Sequence, residues 1–170
     1  MIFLLFYIFL FMLSGENLDI WIDCDVSEQG GASSTKNVNR EENVAPKIYP
    51  STQEVMNLIA AESFKSIDSS NPKELNGFYH YLSNIRQVLI VGNKTGSLII
   101  TVQSNSPQIL DGLWEDYCAG YLQEVAQRYL VTKDILKELG VDELQLTVTI
   151  NEEEYRVCRK RLLRREGGYQ

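Results

Sequence analysis

The residue types that most often carry catalysis are sparse in this chain. Its single histidine, His80, lies between Tyr79 and Tyr81 on a predicted helix. No nucleophile, partner carboxylate or second metal ligand stands near it at a functional spacing. An exposed position on a helix surface is therefore the simplest interpretation of His80. We predict no catalytic residues, and an enzyme is the least favoured class of function.

A phosphate-binding loop is the second chemistry that the sequence superficially suggests. Residues 92–96, GNKTG, contain glycine and lysine, but a P-loop needs glycine immediately before the lysine and a helix after it. Here Asn93 precedes the lysine and an alternating strand pattern follows, so the segment predicts the turn of a β-hairpin. Asn93-Lys94-Thr95 is also an N-glycosylation sequon, which makes Asn93 a possible glycosylation site if the chain is exported.

Aspartates and cysteines are the remaining candidate metal ligands. Asp19, Asp23 and Asp25 lack the glycine and terminal glutamate of a calcium loop, and strand alternation accounts for their spacing. The three cysteines are too scattered for a zinc site or a disulfide framework. Two of them, Cys118 and Cys158, fall on predicted helices and are interpreted as small buried apolar residues. No metal and no cofactor is predicted.

The last predicted helix carries six of the chain's 16 basic residues. Three glutamates, at positions 152–154, precede them, so the charges complement the helix macrodipole, and Glu152 and Arg156 form an i,i+4 pair. We favour this structural interpretation. The alternative is that the helix binds an acidic or phosphorylated partner, or an anionic membrane surface. The candidate partner-binding residues are then Arg156, Arg159 and Lys160.

Length and charge limit the possible classes of function. At 170 residues and 44% apolar content, the chain can form one domain with its own core, plus a tail or linker. The 16 basic and 23 acidic residues give a net charge of −7, which disfavours binding to nucleic-acid phosphates. The strand patterns at 88–91 and 97–102 contain no aromatic residue on which RNA bases could stack. No nucleic-acid partner is predicted.

The N-terminal third divides into three kinds of sequence. Residues 1–15 form an apolar leader; its run from 2 to 13 is short for a membrane span and fits a signal peptide or a spurious extension. Within residues 16–50, LDIWIDCDV (18–26) alternates as a strand and is followed by a long polar linker without periodicity. Asp19, Trp21, Asp23 and Asp25 lie on one side of this strand.

Residues 51–166 form the predicted domain, in which helices cover one face of a sheet. Ser51 and Glu54 form a capping box before the first helix, and Asn71-Pro72 opens a second. A hairpin follows, and then one long helix, for which Ser106 is the predicted N-cap and Pro107 lies in the first turn. The remaining predicted elements are a short helix between Thr132 and Gly140, a strand with Leu144, Leu146, Val148 and Ile150 on one side, and a helix capped by Asn151. The fold class is therefore α+β.

Three segments of this domain resemble the TRADD-like N-terminal domain family, which is named for a death-domain adaptor of tumour-necrosis-factor receptor signalling. They are LWEDYC-GYL, RYLVT and the acidic-then-basic last helix, and the resemblance covers about Ser51 to Leu163. It implies an α/β sandwich in which helices cover a four-stranded antiparallel sheet of ferredoxin-like connectivity. It also implies a non-enzymatic, cytoplasmic adaptor that binds TRAF-type proteins in death-receptor or innate-immune signalling.

The resemblance further implies that an early strand contributes to the partner-binding face. If LDIWIDCDV is that strand, Trp21 lies on its outward side and is a candidate contact residue. The alternative hypothesis is an exported or membrane-tethered interaction module. It rests on the apolar run at 2–13, which would be the only membrane contact, and on the sequon at Asn93.

Overall fold

An antiparallel sheet of four strands organises the protein. The computed structural model describes residues 15–25, 50–67, 77–94 and 98–167. Within them the spatial order of the strands is β2-β3-β1-β4, so β1 is central and β2 and β4 are the outer strands. The strands are β1 (Glu16–Asp25), β2 (Leu89–Lys94), β3 (Leu98–Ser104) and β4 (Gln145–Ile150).

Alternation in β1 and β4 decides which side of each strand is buried. Leu18, Ile20, Ile22 and Cys24 are buried on β1, while Trp21 and Asp23 between them are exposed. On β4, Leu146, Val148 and Ile150 are buried, and the three residues that alternate with them are exposed. Both patterns confirm the predicted strand faces. The last residue of the alternating segment, Val26, lies outside the described residues.

The helices pack on the apolar side of this sheet. They are α1 (Thr52–Ile67), α2 (Gly77–His80), α3 (Pro107–Cys118), α4 (Tyr121–Leu130), α5 (Lys133–Leu139) and α6 (Glu152–Gly167); α2 continues as a π-helical turn, Tyr81–Ile85. A single hydrophobic core joins their buried side chains to those of the strands. The fold is therefore α+β, as predicted.

Polar caps begin three of the helices where the sequence predicts them. The Ser51 amide donates to Glu54 Oε2 at 2.8 Å, and the Glu54 amide donates to Ser51 Oγ at 3.3 Å, which is the predicted capping box. Thr132 Oγ1 accepts from the Ile135 amide at the start of α5. Asn151 Oδ1 accepts from the Glu153 and Glu154 amides at the start of α6.

The structure corrects three local predictions about these elements, and a fourth falls on residues outside the described ranges. The long helix predicted after Ser106 is two helices, because the chain turns at Gly120, whose φ of 78° is left-handed. The Ser106 side chain makes no cap and instead donates to Gln108 Oε1. Strand β2 runs through to Lys94, three residues into the predicted turn, with a bulge between Ile90 and Gly92. The predicted helix start at Asn71-Pro72 lies outside the described residues.

The two cysteines predicted on helices differ in their exposure. Cys158 is buried, as predicted, but Cys118 is exposed because it ends α3 at the surface. No helix in the described ranges is both long and apolar enough to cross a membrane. The apolar run at 2–13 and the linker predicted after residue 26 are not among those ranges.

Candidate protein-binding surface

The sheet has one face that the hydrophobic core does not use, which we call the open face. It is formed by the side chains that alternate with the core residues of β1, β3 and β4. The β4 positions on this face, Gln145, Thr147 and Thr149, are all exposed. An antiparallel sheet commonly covers one face with helices and leaves the other in water. The open face is therefore a regular surface that the described fold offers to another molecule.

Trp21 lies at the centre of the open face. It stands on the central strand, directly opposite Ile99 of β3 and Thr149 of β4, and is 38% exposed. Ile99 alternates with two core residues and so points to the open face, yet it is only 8% exposed. Ile99 stands between two strands, with Trp21 opposite it on β1 and Lys94 opposite it on β2. The side chains of Trp21 and Ile99 give this surface an apolar centre.

Polar groups flank Trp21 along β1. Thr101 Oγ1 donates a hydrogen bond to Asp19 Oδ1 at 2.6 Å, so the carboxylate two residues before Trp21 is held in place. Asp23, two residues after it, is exposed and lies opposite Thr147. An apolar centre with a polar rim is the usual layout of a protein-binding surface, and tryptophan is enriched among residues that dominate binding energy.

The basic residues of α6 mostly pair with acids of the same chain. Arg159 makes a two-pronged contact with Asp111 of α3, with Nε at 2.7 Å and a terminal nitrogen at 3.0 Å. Arg161 and Arg165 both reach Glu16, whose side chain is buried at the start of β1. These contacts fix α6 to α3 and β1. Arg159 is thus occupied in joining elements of the fold.

The other two candidates on α6 are more accessible. Arg156 pairs with Glu152 one turn earlier, as predicted, at 2.6 Å between two well exposed side chains. Such a pair contributes only about 0.3–0.5 kcal/mol, so a partner can compete for Arg156. Lys160 is exposed and has no ion pair within the described part of the chain. The structure therefore leaves Arg156 and Lys160 open to a partner, on a surface separate from Trp21.

The Asp111 contacts change the acidity of the groups that meet there. Burial favours the neutral acid, but hydrogen bonds from Arg159 and Tyr155 outweigh it and lower the pKa of Asp111. Burial of the Tyr155 hydroxyl and its 2.7 Å hydrogen bond to Asp111 raise the pKa of Tyr155 to about 12. The Tyr155 ring also stacks on Trp114, with centroids 4.4 Å apart. This arrangement joins two helices and has no feature of a reactive site.

The other residues with candidate chemistry, His80, Asn93 and Cys158, lie on different elements of the fold. His80 is exposed on α2, as predicted, and Asn93 occupies the β2 position opposite Ile100. The buried Cys158 thiol donates to the Asn17 carbonyl at 3.1 Å, and burial raises its pKa, which makes it a poor nucleophile. Among the described residues, no three His, Cys, Asp or Glu side chains are grouped so that they could hold a metal ion.

Two glutamines of α4, which sequence reasoning missed, close one edge of the sheet. Gln123 Nε2 donates to the Leu146 carbonyl at 2.5 Å, and its Oε1 accepts from the Val148 amide at 2.7 Å. Gln127 repeats the pattern one turn later, with the Leu144 carbonyl at 2.7 Å and the Leu146 amide at 2.8 Å. We call this pair the glutamine clamp. It bonds the outward backbone groups of β4 as a fifth strand would.

The opposite edge of the sheet, along β2, has no such cover. Within the described ranges, no strand pairs with the outer side of β2. The turn that leads into it is held by Asp116 of α3, which accepts from Tyr81 Oη and from Arg86 Nε, the latter at 2.5 Å. Leu89, Val91 and the preceding Ile85 are all exposed. In the described part of the chain, side chains thus bond the outer backbone groups of β4 from Leu144 to Val148, and no strand covers the outer side of β2.

The curated proteins that match the chain are named for a death effector domain. The human and mouse death effector domain-containing proteins are each 28% identical to it over 81 residues, which is 48% of this chain and 26% of theirs. The human DNA-binding death effector domain-containing protein 2 is 29% identical over 75 residues, 43% of this chain and 23% of that protein.

The chain resembles part of these proteins. It spans about a quarter of the length of the curated relatives it matches, so their named domain need not lie in the matched region. No protein-family model matches the chain. No solved structure matches it either.

Proposed function

We propose that this protein is a non-enzymatic interaction domain that binds a partner protein on its open face, with Trp21 as the central contact. The observation that carries the proposal is the position of Trp21: a half-exposed indole on the central strand, opposite Ile99 and flanked along β1 by polar side chains. Truncation of an aromatic residue that dominates the centre of an interface lowers the binding free energy by about 2 kcal/mol or more.

The resemblance to TRADD-like N-terminal domains makes a TRAF-type signalling protein the proposed partner. The strand order β2-β3-β1-β4, with helices in the β1–β2 and β3–β4 connections, agrees with the ferredoxin-like connectivity that this resemblance implies. The similarity to proteins named for a death effector domain supports a role in death signalling, and we extend the proposal to innate-immune signalling by resemblance alone.

Direct binding tests this proposal. The full chain is titrated against a panel of TRAF C-terminal domains by isothermal calorimetry, together with Trp21→Ser and a matched control, Tyr129→Ser. Tyr129 is an aromatic residue of similar exposure (40%) on α4, away from the sheet face. We expect Trp21→Ser to weaken binding at least tenfold and Tyr129→Ser to leave it within a factor of two.

Two results would contradict the proposal in different ways. If no domain of the panel binds at the highest soluble concentration, the TRAF-type partner is wrong. If a domain binds and Trp21→Ser leaves its affinity unchanged, the open face is not the contact surface. An Arg156→Ala, Lys160→Ala double variant then tests the accessible cations of α6 as the alternative partner-binding residues.

The second proposed function is an exported or membrane-tethered interaction module. The apolar run at residues 2–13 and the sequon at Asn93 favour it. Expression in homologous cells, followed by endoglycosidase treatment and fractionation, separates the two proposals. A change in mobility that Asn93→Gln abolishes supports export, whereas an unchanged mobility with a cytosolic location supports the cytoplasmic adaptor.

A further inference from the structure

The two edges of the sheet differ in whether their outward backbone groups are hydrogen-bonded, and this difference does not involve the open face. Backbone amides and carbonyls on an uncovered outer strand readily pair with another strand. The glutamine clamp bonds these groups along β4, and within the described residues nothing bonds them along β2. We propose that two copies of this chain associate through β2, edge to edge and antiparallel, to form a symmetric dimer.

Exposed apolar side chains concentrate at the β2 edge. Ile85 is 58% exposed and Val91 is 44% exposed, and Leu89 lies between them on the same short stretch of chain. A two-fold axis perpendicular to the sheet at this edge brings the β2 segment of one copy against the β2 segment of the other. Burial of this apolar surface then adds to the new backbone hydrogen bonds.

The lack of acidic residues at this edge favours it for contact between two copies of an acidic chain. The chain carries a net charge of −7, so most ways of bringing two copies together are opposed by repulsion. The segment from Ile85 to Lys94 contains no acidic residue, and its Arg86 is already paired with Asp116. The open face, by contrast, would place Asp19 and Asp23 of one copy near those of the other.

The glutamine clamp explains why association through β2 ends at two copies. A sheet with two open edges can add chains without limit, whereas an isologous contact through one edge is closed. In the proposed dimer the outermost strands are β4 and its symmetry mate, and the clamp covers both. The bulge between Ile90 and Gly92 shortens the run of regular pairing, so we expect a weak dimer.

Sedimentation equilibrium of the full chain over a hundredfold concentration range tests the dimer. We expect the wild type to fit a monomer–dimer equilibrium without larger species. Val91→Lys should weaken dimerisation at least tenfold, because it places like charges across the two-fold axis. The matched control is Leu163→Lys on α6, where an apolar residue of similar exposure (43%) receives the same charge.

The outcomes distinguish this proposal from the proposed function. Trp21→Ser should leave the dimer unchanged, since it lies on the open face. A wild type that stays monomeric at every concentration, or that forms an open series of oligomers, overturns the proposal, as does a dimer that Leu163→Lys weakens and Val91→Lys does not. Circular dichroism of each variant checks folding. Slower exchange of the β2 amides that point away from β3, with rising concentration, would independently support the contact.

Discussion

The two outer strands of the sheet differ in what contacts their outward backbone groups. Along β4, two neutral side-chain amides take the place of a neighbouring strand. Along β2, no described group covers the edge, and the turn before it is held by the charged contact of Arg86 with Asp116. The comparison shows that a helix can protect an edge strand through its side chains, without a bulge or an extra strand.

Helix geometry explains why the glutamine clamp fits β4. Residues four apart on a helix are about 6 Å apart along its axis, and residues two apart on a strand are about 6.7 Å apart. Gln123 and Gln127 therefore meet successive outward backbone groups of β4. The amide of glutamine has an NH2 group that can donate and a carbonyl oxygen that can accept, and each site on the strand uses one hydrogen bond of each kind.

Removal of the clamp should produce the largest loss of stability among the surface changes considered. Gln123→Leu combined with Gln127→Leu deletes four hydrogen bonds to the β4 backbone, and we expect a loss of about 3–5 kcal/mol in the free energy of unfolding. Urea denaturation followed by circular dichroism measures it. Gln145→Leu, on the open face of the same strand, is the control and should change stability by less than about 0.5 kcal/mol. Equal effects of the two changes would mean that the clamp does not stabilise β4.

A charge removed beside β2 should have a smaller effect. Asp116→Asn keeps the size of the side chain but leaves Arg86 without its ion pair and weakens the hydrogen bond from Tyr81. We expect a loss of about 2 kcal/mol, since hydrogen bonds to charged, partly buried groups are stronger than neutral ones. The loss should shrink in 1 M salt, whereas the loss from the clamp variant should not. An equal salt dependence would remove the distinction between the edges.

Local sequence patterns predicted most of the helices and strands because those depend on neighbouring residues. The strand faces of β1 and β4 follow from period-two alternation, and the caps at Ser51, Thr132 and Asn151 follow from residues within three positions. The break at Gly120 was missed because the apolar spacing continues across it. A single glycine within a periodic segment is compatible with an unbroken helix.

The candidate surface could be predicted only in part. Alternation alone places Trp21 on the outward side of β1, but its position opposite Ile99 depends on the register between β1 and β3. The glutamine clamp depends on a helix and a strand about 20 residues apart, and glutamine on a helix surface has no local signal. In the same way, the sequence could not show that Arg159 pairs with Asp111, 48 positions away.

The hydrogen bond from the Tyr81 hydroxyl to Asp116, beside β2, makes a contribution to stability that depends on pH. Burial and the hydrogen bond to Asp116 raise the pKa of Tyr81 above its ordinary value of 10.0. A raised pKa in the folded state means that the stabilisation is fully present below the unfolded pKa and declines as the pH rises above it. Tyr81→Phe should therefore cost about 1 kcal/mol at neutral pH, and the difference from wild type should shrink above about pH 10. Unfolding midpoints measured in urea from neutral to alkaline pH check this, and a constant difference would contradict it.

The smallest expected effect lies at the entrance to β2, where the backbone is strained. Gln87 has a φ of 56°, in the left-handed region that residues with a side chain avoid at a cost of roughly 1 kcal/mol. Gln87→Gly removes this strain but adds freedom to the unfolded chain, so the net gain should be about 0.5 kcal/mol. Ser83→Gly is a contrasting change within the π-helical turn, where φ is not positive, and it should destabilise. Thermal unfolding of both variants measures the difference. If Gln87→Gly also destabilises, the Gln87 side chain makes contacts that outweigh its backbone strain. The entrance to β2 is then stabilised by a side chain as well as by its backbone.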